Sequence, residues 1–128
     1  MRAAFAALAL CAAPAAAQEA APRYLVEGIF ASYAAQSLAV ACPTLSIDPV
    51  AMRDLAQDTL GRFQAEGGTR GDERQRLEAT EPEMQVLREA FLARHGLAEG
   101  APAEEACAAG RTEMEEGSAI GALLVEVE

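Results

Sequence analysis

Three cysteines, one histidine and twenty carboxylates are the side chains of this 128-residue sequence with most chemistry to offer. Nucleophilic catalysis needs an activated Ser or Cys beside a base, and the one histidine, His95, directly precedes Gly96. That dipeptide reads as a helix end, where a cation sits well against the helix dipole, so His95 is read as a helix-terminal charge and not as a catalytic base. The carboxylates gather as Glu104-Glu105 and Glu113-Glu115-Glu116, which solvated helix faces explain more simply than paired acid/base catalysis. A calcium loop starting at Glu66 would put Arg70 at its fifth position and Leu77 at its twelfth, where oxygen ligands are required. No phosphate-cradling glycine loop is present. The reading is that no residue is catalytic, cofactor-binding or metal-binding, and that the chain is not an enzyme.

The cysteines divide by position. Cys11 lies in an N-terminal stretch where Arg2 precedes an apolar run from Ala3 to Ala13, Pro14 follows, and Ala15-Ala16-Ala17 supplies small residues for a signal peptidase. This is the order of a secretory signal, and the run is shorter than the roughly 20 apolar residues of a membrane span. Cleavage after Ala17 is expected, with residues 1–17 removed and 18–128 remaining as one domain. Leu10 before Cys11 does not suit lipidation, so Cys11 should leave with the signal. Cys42 and Cys107 remain, and an even count in an oxidising compartment reads as a bridge. Free thiols and a metal site are the alternatives, disfavoured by the single His and by the absence of C-x-x-C spacing. The expected location is the periplasm.

Loss of Arg2 leaves nine arginines against the 20 acidic residues, a formal charge of −11, and lysine is absent. So acidic a chain repels nucleic acid and anionic lipid, keeps a small domain soluble, and would suit a basic partner.

Helix formers dominate and strand signals are confined to a hint at the last residues. A first helix is expected from Tyr24 to Ala41, with Val26, Ile29, Phe30, Tyr33, Ser37 and Val40 on its apolar face, ended by Cys42-Pro43. Thr44 to Asp48 connects to a second helix over Pro49–Ala65, capped by Asp48 with proline in first place. Its buried side should carry Met52, Leu55, Ala56, Thr59, Leu60 and Phe63, and Gly67-Gly68 should stop it. A flexible stretch to Asp72 leads to a short third helix over Asp72–Ala79. Thr80 and Glu83 form a capping box for a fourth, with Met84, Leu87 and Phe91 inward and Gly96 as its left-handed terminator. After a turn at Gly100–Pro102, a last helix begins near Ala103. One face carries Cys107, Gly110, Met114, Gly117, Gly121 and Leu124, with a bend near Gly117-Ser118 as the competing reading. The small face suits close approach by a neighbouring helix. The fold expected is all-α, a bundle of four or five helices stapled by one disulfide from Cys42, ending the first helix, to Cys107, opening the last.

The helix closing in Cys42-Pro43-Thr44, the distal Cys107-Ala108-Ala109-Gly110-Arg111, and Gly117-Ser118 through Ile120-Gly121 to Leu123-Leu124 together resemble an uncharacterised domain-of-unknown-function family of small exported proteins from Rhodobacter-like alphaproteobacteria. The resemblance spans nearly all of residues 18–128. It implies a helical domain with the same cysteine pair, and no activity, cofactor or functional residue. The functional expectation is a non-catalytic periplasmic protein-interaction module, an accessory subunit or an inhibitor or immunity-type protein, whose partner is another envelope protein. An alternative is a holdase chaperone of acid stress, because protonating the carboxylates leaves the arginines and His95 to repel one another. A small-ligand binder or enzyme is the third reading.

Overall fold

The computed structural model describes residues 19–128. The expected leader, its cleavage point after Ala17 and Cys11 lie outside them. Helices α1 (Arg23–Ala41), α2 (Pro49–Ala65), α3 (Arg70–Ala79), α4 (Glu81–His95) and α5 (Ala103–Glu116) make an all-α fold of five helices. Two three-residue strands, β1 (Leu45–Ile47) and β2 (Leu124–Glu126), pair antiparallel with Ser46 opposite Val125. No helix among the described residues is long and apolar enough to cross a membrane.

The helix signals in the sequence act as read at three ends. Asp48 caps α2 by accepting from the backbone N–H groups of Val50 and Ala51, at 2.9 and 3.1 Å, with Pro49 in first place. Replacing Asp48 by Ala is expected to cost about 1 kcal/mol, read as a lowered unfolding midpoint in urea. Helices α2 and α4 both end where a glycine enters the left-handed region, at Gly67 and Gly96. Around each, the next residue's N–H reaches five back, Gly68 to Phe63 and Leu97 to Leu92, which satisfies carbonyls a helix end would leave orphaned.

The first helix corrects its expected face. Val26 is buried, and Ile29 and Phe30 half-buried, but Tyr33 is 62% exposed, Val40 89% exposed, and Ser37 also faces solvent. The buried side runs instead through Leu25, Ala31, Ala34, Ala35 and Leu38. This helix is apolar nearly all round, so hydrophobic period could not choose a face. What chooses is size, because alanines let α5 and β1 come close while larger side chains there would hold them off. On α2 the expected side is inward except for Ala56, which is exposed.

Two further boundaries move. Helix α3 starts at Arg70, because Thr69 and Asp72 form a reciprocal capping box in the stretch expected to be loose. Thr80 does not cap α4 with its side chain. Its hydroxyl donates to the carbonyls of Arg76 and Leu77, closing α3, and Met84 N–H returns to its carbonyl, so one residue ends one helix and begins the next.

The last helix stops at Glu116, with Gly117 left-handed, and the bend is therefore the arrangement found. The chain then makes a short 3-10 turn, Gly121–Leu123, and enters β2. The connection Thr44–Asp48 holds β1, and the tail from Val125 to Glu128 completes the pairing, Val127 N–H donating to the Thr44 carbonyl at 3.0 Å. The main core lies between α1, α5 and this small sheet, centred on Ala35, Leu38, Leu45, Ala109 and Leu123. A second, smaller core joins Leu25 and Val26 of α1 to Phe63 of α2.

Candidate functional site

Cys42 and Cys107 form a disulfide, joining the C-terminal cap of α1 to the second turn of α5. Both sulfurs are buried. The Thr44 hydroxyl lies 3.3 Å from Cys42 Sγ and 3.8 Å from Cys107 Sγ. Arg111 covers this corner from α5, donating to Thr44 Oγ1 at 3.5 Å and to Glu126 of β2 at 3.3 Å. Helix, bridge and strand are thereby tied at one corner. A fully covered disulfide whose neighbours are structural is placed to staple, not to exchange.

The other concentration of chemistry was not foreseen. His95, the last residue of α4, has a side chain only 6% exposed, and its Nε2 lies 2.6 Å from Glu113 Oε1. Glu113, read from the sequence as part of a solvated acidic face, is 1% exposed. Its neighbours Glu115 and Glu116 do face solvent. Arg94 reaches Glu113 with Nη1 at 3.4 Å and pairs with Glu116 through Nη2. From below, Phe91 places its ring edge-on to His95 at 4.8 Å and to Phe30 of α1 at 6.1 Å.

A carboxylate near a helix C-terminus opposes the helix dipole, and burial also works against its charge. Even so, the Glu113 carboxyl is held below the ordinary range, because burial is outweighed by hydrogen bonds from Ser118 and His95 and by the charge of Arg94. Ser118 in turn accepts from the Gly121 N–H at 2.9 Å, and its own N–H closes α5 on the Glu113 carbonyl at 3.1 Å. Among the described residues no buried side-chain nitrogen or oxygen lacks a hydrogen-bond partner.

Serine, histidine and a carboxylate therefore meet, but in the wrong order for nucleophile activation. A catalytic relay puts the imidazole between the hydroxyl and the acid. Here His95 bonds Glu113, and no hydrogen bond joins its ring to the Ser118 hydroxyl, which accepts from the Gly121 N–H instead. What the arrangement does is fasten the end of α4 to the end of α5.

A smaller clamp holds the opposite side. Tyr24 O–H donates to Glu66 at 2.6 Å, while Arg62 lies over the Tyr24 ring at 4.0 Å and bonds the same carboxylate. The Tyr24 hydrogen bond comes first among the influences holding the Glu66 carboxyl below its ordinary range.

Between these fastenings, α3 roofs a groove of about 540 Å³. Ile29 and Tyr33 of α1, Leu60 of α2, Leu77 of α3 and Met84 of α4 make its apolar lining, and Arg70, Arg74, Glu73 and Glu81 its charged rim. A smaller void continues it toward Leu55 and Thr59. No group of three or more metal-ligating side chains occurs among the described residues.

The sequence model of a family of unknown function (DUF5333) matches residues 18–125. No curated protein and no solved structure matches the chain.

Proposed function

For a chain that belongs to the DUF5333 family, a family of unknown function, we propose a non-catalytic protein-interaction role in the bacterial periplasm, reached by export and cleavage after Ala17. The family would then be one of small exported proteins, as the N-terminal signal pattern and the covered disulfide support, while its placing in Rhodobacter-like alphaproteobacteria rests on the sequence resemblance alone. The observation that carries the interaction reading is the groove under α3. It offers apolar side chains beside an exposed tyrosine and a rim of both charge signs, which is the composition of a recognition surface. The polar cluster at Glu113 is satisfied internally and offers a substrate nothing. An accessory subunit or an inhibitor or immunity-type protein fits such a surface.

Acid-stress holdase activity is the second reading, favoured by the buried Glu113, whose pairing fails once it is protonated. In-cell crosslinking and recovery of the tagged chain from the periplasm, at neutral pH and after acid shock, separates the two. One stoichiometric partner at neutral pH, lost when Leu60 and Leu77 are changed to Asp, supports the dedicated module. Many partners only in acid support the holdase. Fractionation of the uncleaved chain into the cytoplasm would overturn both.

A further inference from the structure

Helices α3 and α4 have no buried residue of their own besides the His95 side chain and the Thr80 joint between them. Leu77, Met84, Leu87 and Phe91 are only half-buried, and the groove lies beneath. The hairpin is bounded by Gly67-Gly68 before it and by Gly96 to Gly100 after it, with left-handed glycines at positions 67, 96 and 100. The remainder, α1, β1, α2, α5 and β2, shares the main core and the disulfide, and from α4 Phe91 packs against that core. Two bodies of unequal packing are thus joined by glycine-bearing loops, and local stability follows packing.

We infer that the α3–α4 hairpin is an acid-released flap, clasped to the disulfide-stapled body by the His95–Glu113 pair and opened when Glu113 takes up a proton, which uncovers Leu25, Val26, Ile29, Leu60 and Phe63. The charged groups facing Glu113 are Arg94 and His95 from α4, with Glu116 of its own helix on the other arm of Arg94. The turn after α5 contributes the Ser118 hydroxyl. Protonating Glu113 removes the anion that Arg94 and His95 contact from α4.

Two further contacts hold α3. Arg76 pairs with Glu19 at 3.1 Å and lies over the Phe63 ring at 5.4 Å. At the start of α3, hydrogen bonds from the Thr69 side chain and backbone hold Asp72 below its ordinary range. A carboxyl held low in the folded chain stabilises it above the unfolded value, and that contribution disappears as pH falls through the folded value. For Glu113 the loss therefore lies below its ordinary value of 4.5.

The test is hydrogen–deuterium exchange on the whole described chain with its disulfide intact, normalised for intrinsic rates, from about pH 7 down to about pH 3. Protection over residues 70–95 is expected to fall first, by about tenfold per pH unit where one proton is linked to opening, while α1 and α5 stay protected. Glu113→Gln should open the same segment at neutral pH and flatten its pH dependence. Glu116→Gln should keep both the closed flap and the acid release. Residues 70–95 losing protection only together with α1 and α5, or an undiminished pH slope in Glu113→Gln, would overturn the flap. If Glu113→Gln does not fold, the order of loss in the unmodified chain decides.

Discussion

Replacing Cys42 and Cys107 together by Ala lowers stability by about 4 kcal/mol, the chain-entropy figure for a loop of this order, the two cysteines being 65 residues apart in sequence. The effect is large because the core it reinforces is small. Of its buried side chains many are alanines, and the chain has no tryptophan, so apolar burial per residue is modest. Stabilities of single domains are about 5–15 kcal/mol, and the bridge supplies a large share of that. The bridge also does local work that no loop argument contains. It fixes the C-terminus of α1 against α5 at the place where Thr44 and Arg111 tie in the strand pair. The midpoint of thermal unfolding by circular dichroism is expected to fall by roughly 15 °C. A reductant should lower the melting of the unmodified chain toward that of the variant and leave the variant unmoved. Equal melting of the two proteins in the absence of reductant would mean the bridge contributes nothing. Ser in place of Ala should cost more at Cys42, which is fully buried and would then enclose a hydroxyl.

The helices were legible because their ends carry local chemistry. Asp48-Pro49, Gly67-Gly68 and His95-Gly96 each specify a backbone geometry that depends on a few neighbouring residues, and the structure has all three. The cysteine pairing was legible by counting. The faces were less so. In α1 the apolar positions run round most of the helix, so period alone chooses poorly between faces and the choice falls to packing partners distant in sequence. The strands were mostly hidden for the same reason: three residues each, they exist only because Leu45–Ile47 and Leu124–Glu126 meet, and only the last residues carried a hint of strand.

Glu113 is the instructive miss. In sequence it stands among glutamates, and composition assigns it to water. Its position does not: it follows Ala109 by four and Gly110 by three, which continues the buried side of α5, whereas Glu115 and Glu116 fall off that side. Helical spacing from the small residues would have placed a carboxylate in the core, and a buried carboxylate requires partners. Arg94 and His95 are then the nearest candidates by type. The contact between two helix ends 18 residues apart stays a tertiary fact, visible only once the end of α4 is brought against the end of α5.

Gly121→Ala is expected to destabilise the protein by about 3 kcal/mol, at the upper end of overpacking costs, and a comparison with other glycines shows why. A Cβ at Gly121 would fall inside the backbone of Glu113 and Met114. Backbone in the last turn of a capped helix cannot give way as a side-chain tip can, so the 3-10 turn must move. That movement breaks the Gly121 N–H bond to Ser118 Oγ, disturbs the hydroxyl that Glu113 uses, and pulls on the Asp48 N–H bond to the Leu123 carbonyl at 2.8 Å, which sets β2 beside β1. At Gly110 the added atom meets the tip of the Leu45 side chain, which can rotate, so Gly110→Ala should cost less. At Gly61, within α2, nothing lies within 4 Å, and Gly61→Ala should stabilise by up to about 1 kcal/mol through helix propensity alone. Urea unfolding of the three variants should rank them in that order. If Gly121→Ala unfolds at the same midpoint as Gly61→Ala, the turn after α5 does not rest on the helix end, and the tie from Glu113 through Ser118 to the sheet does not exist.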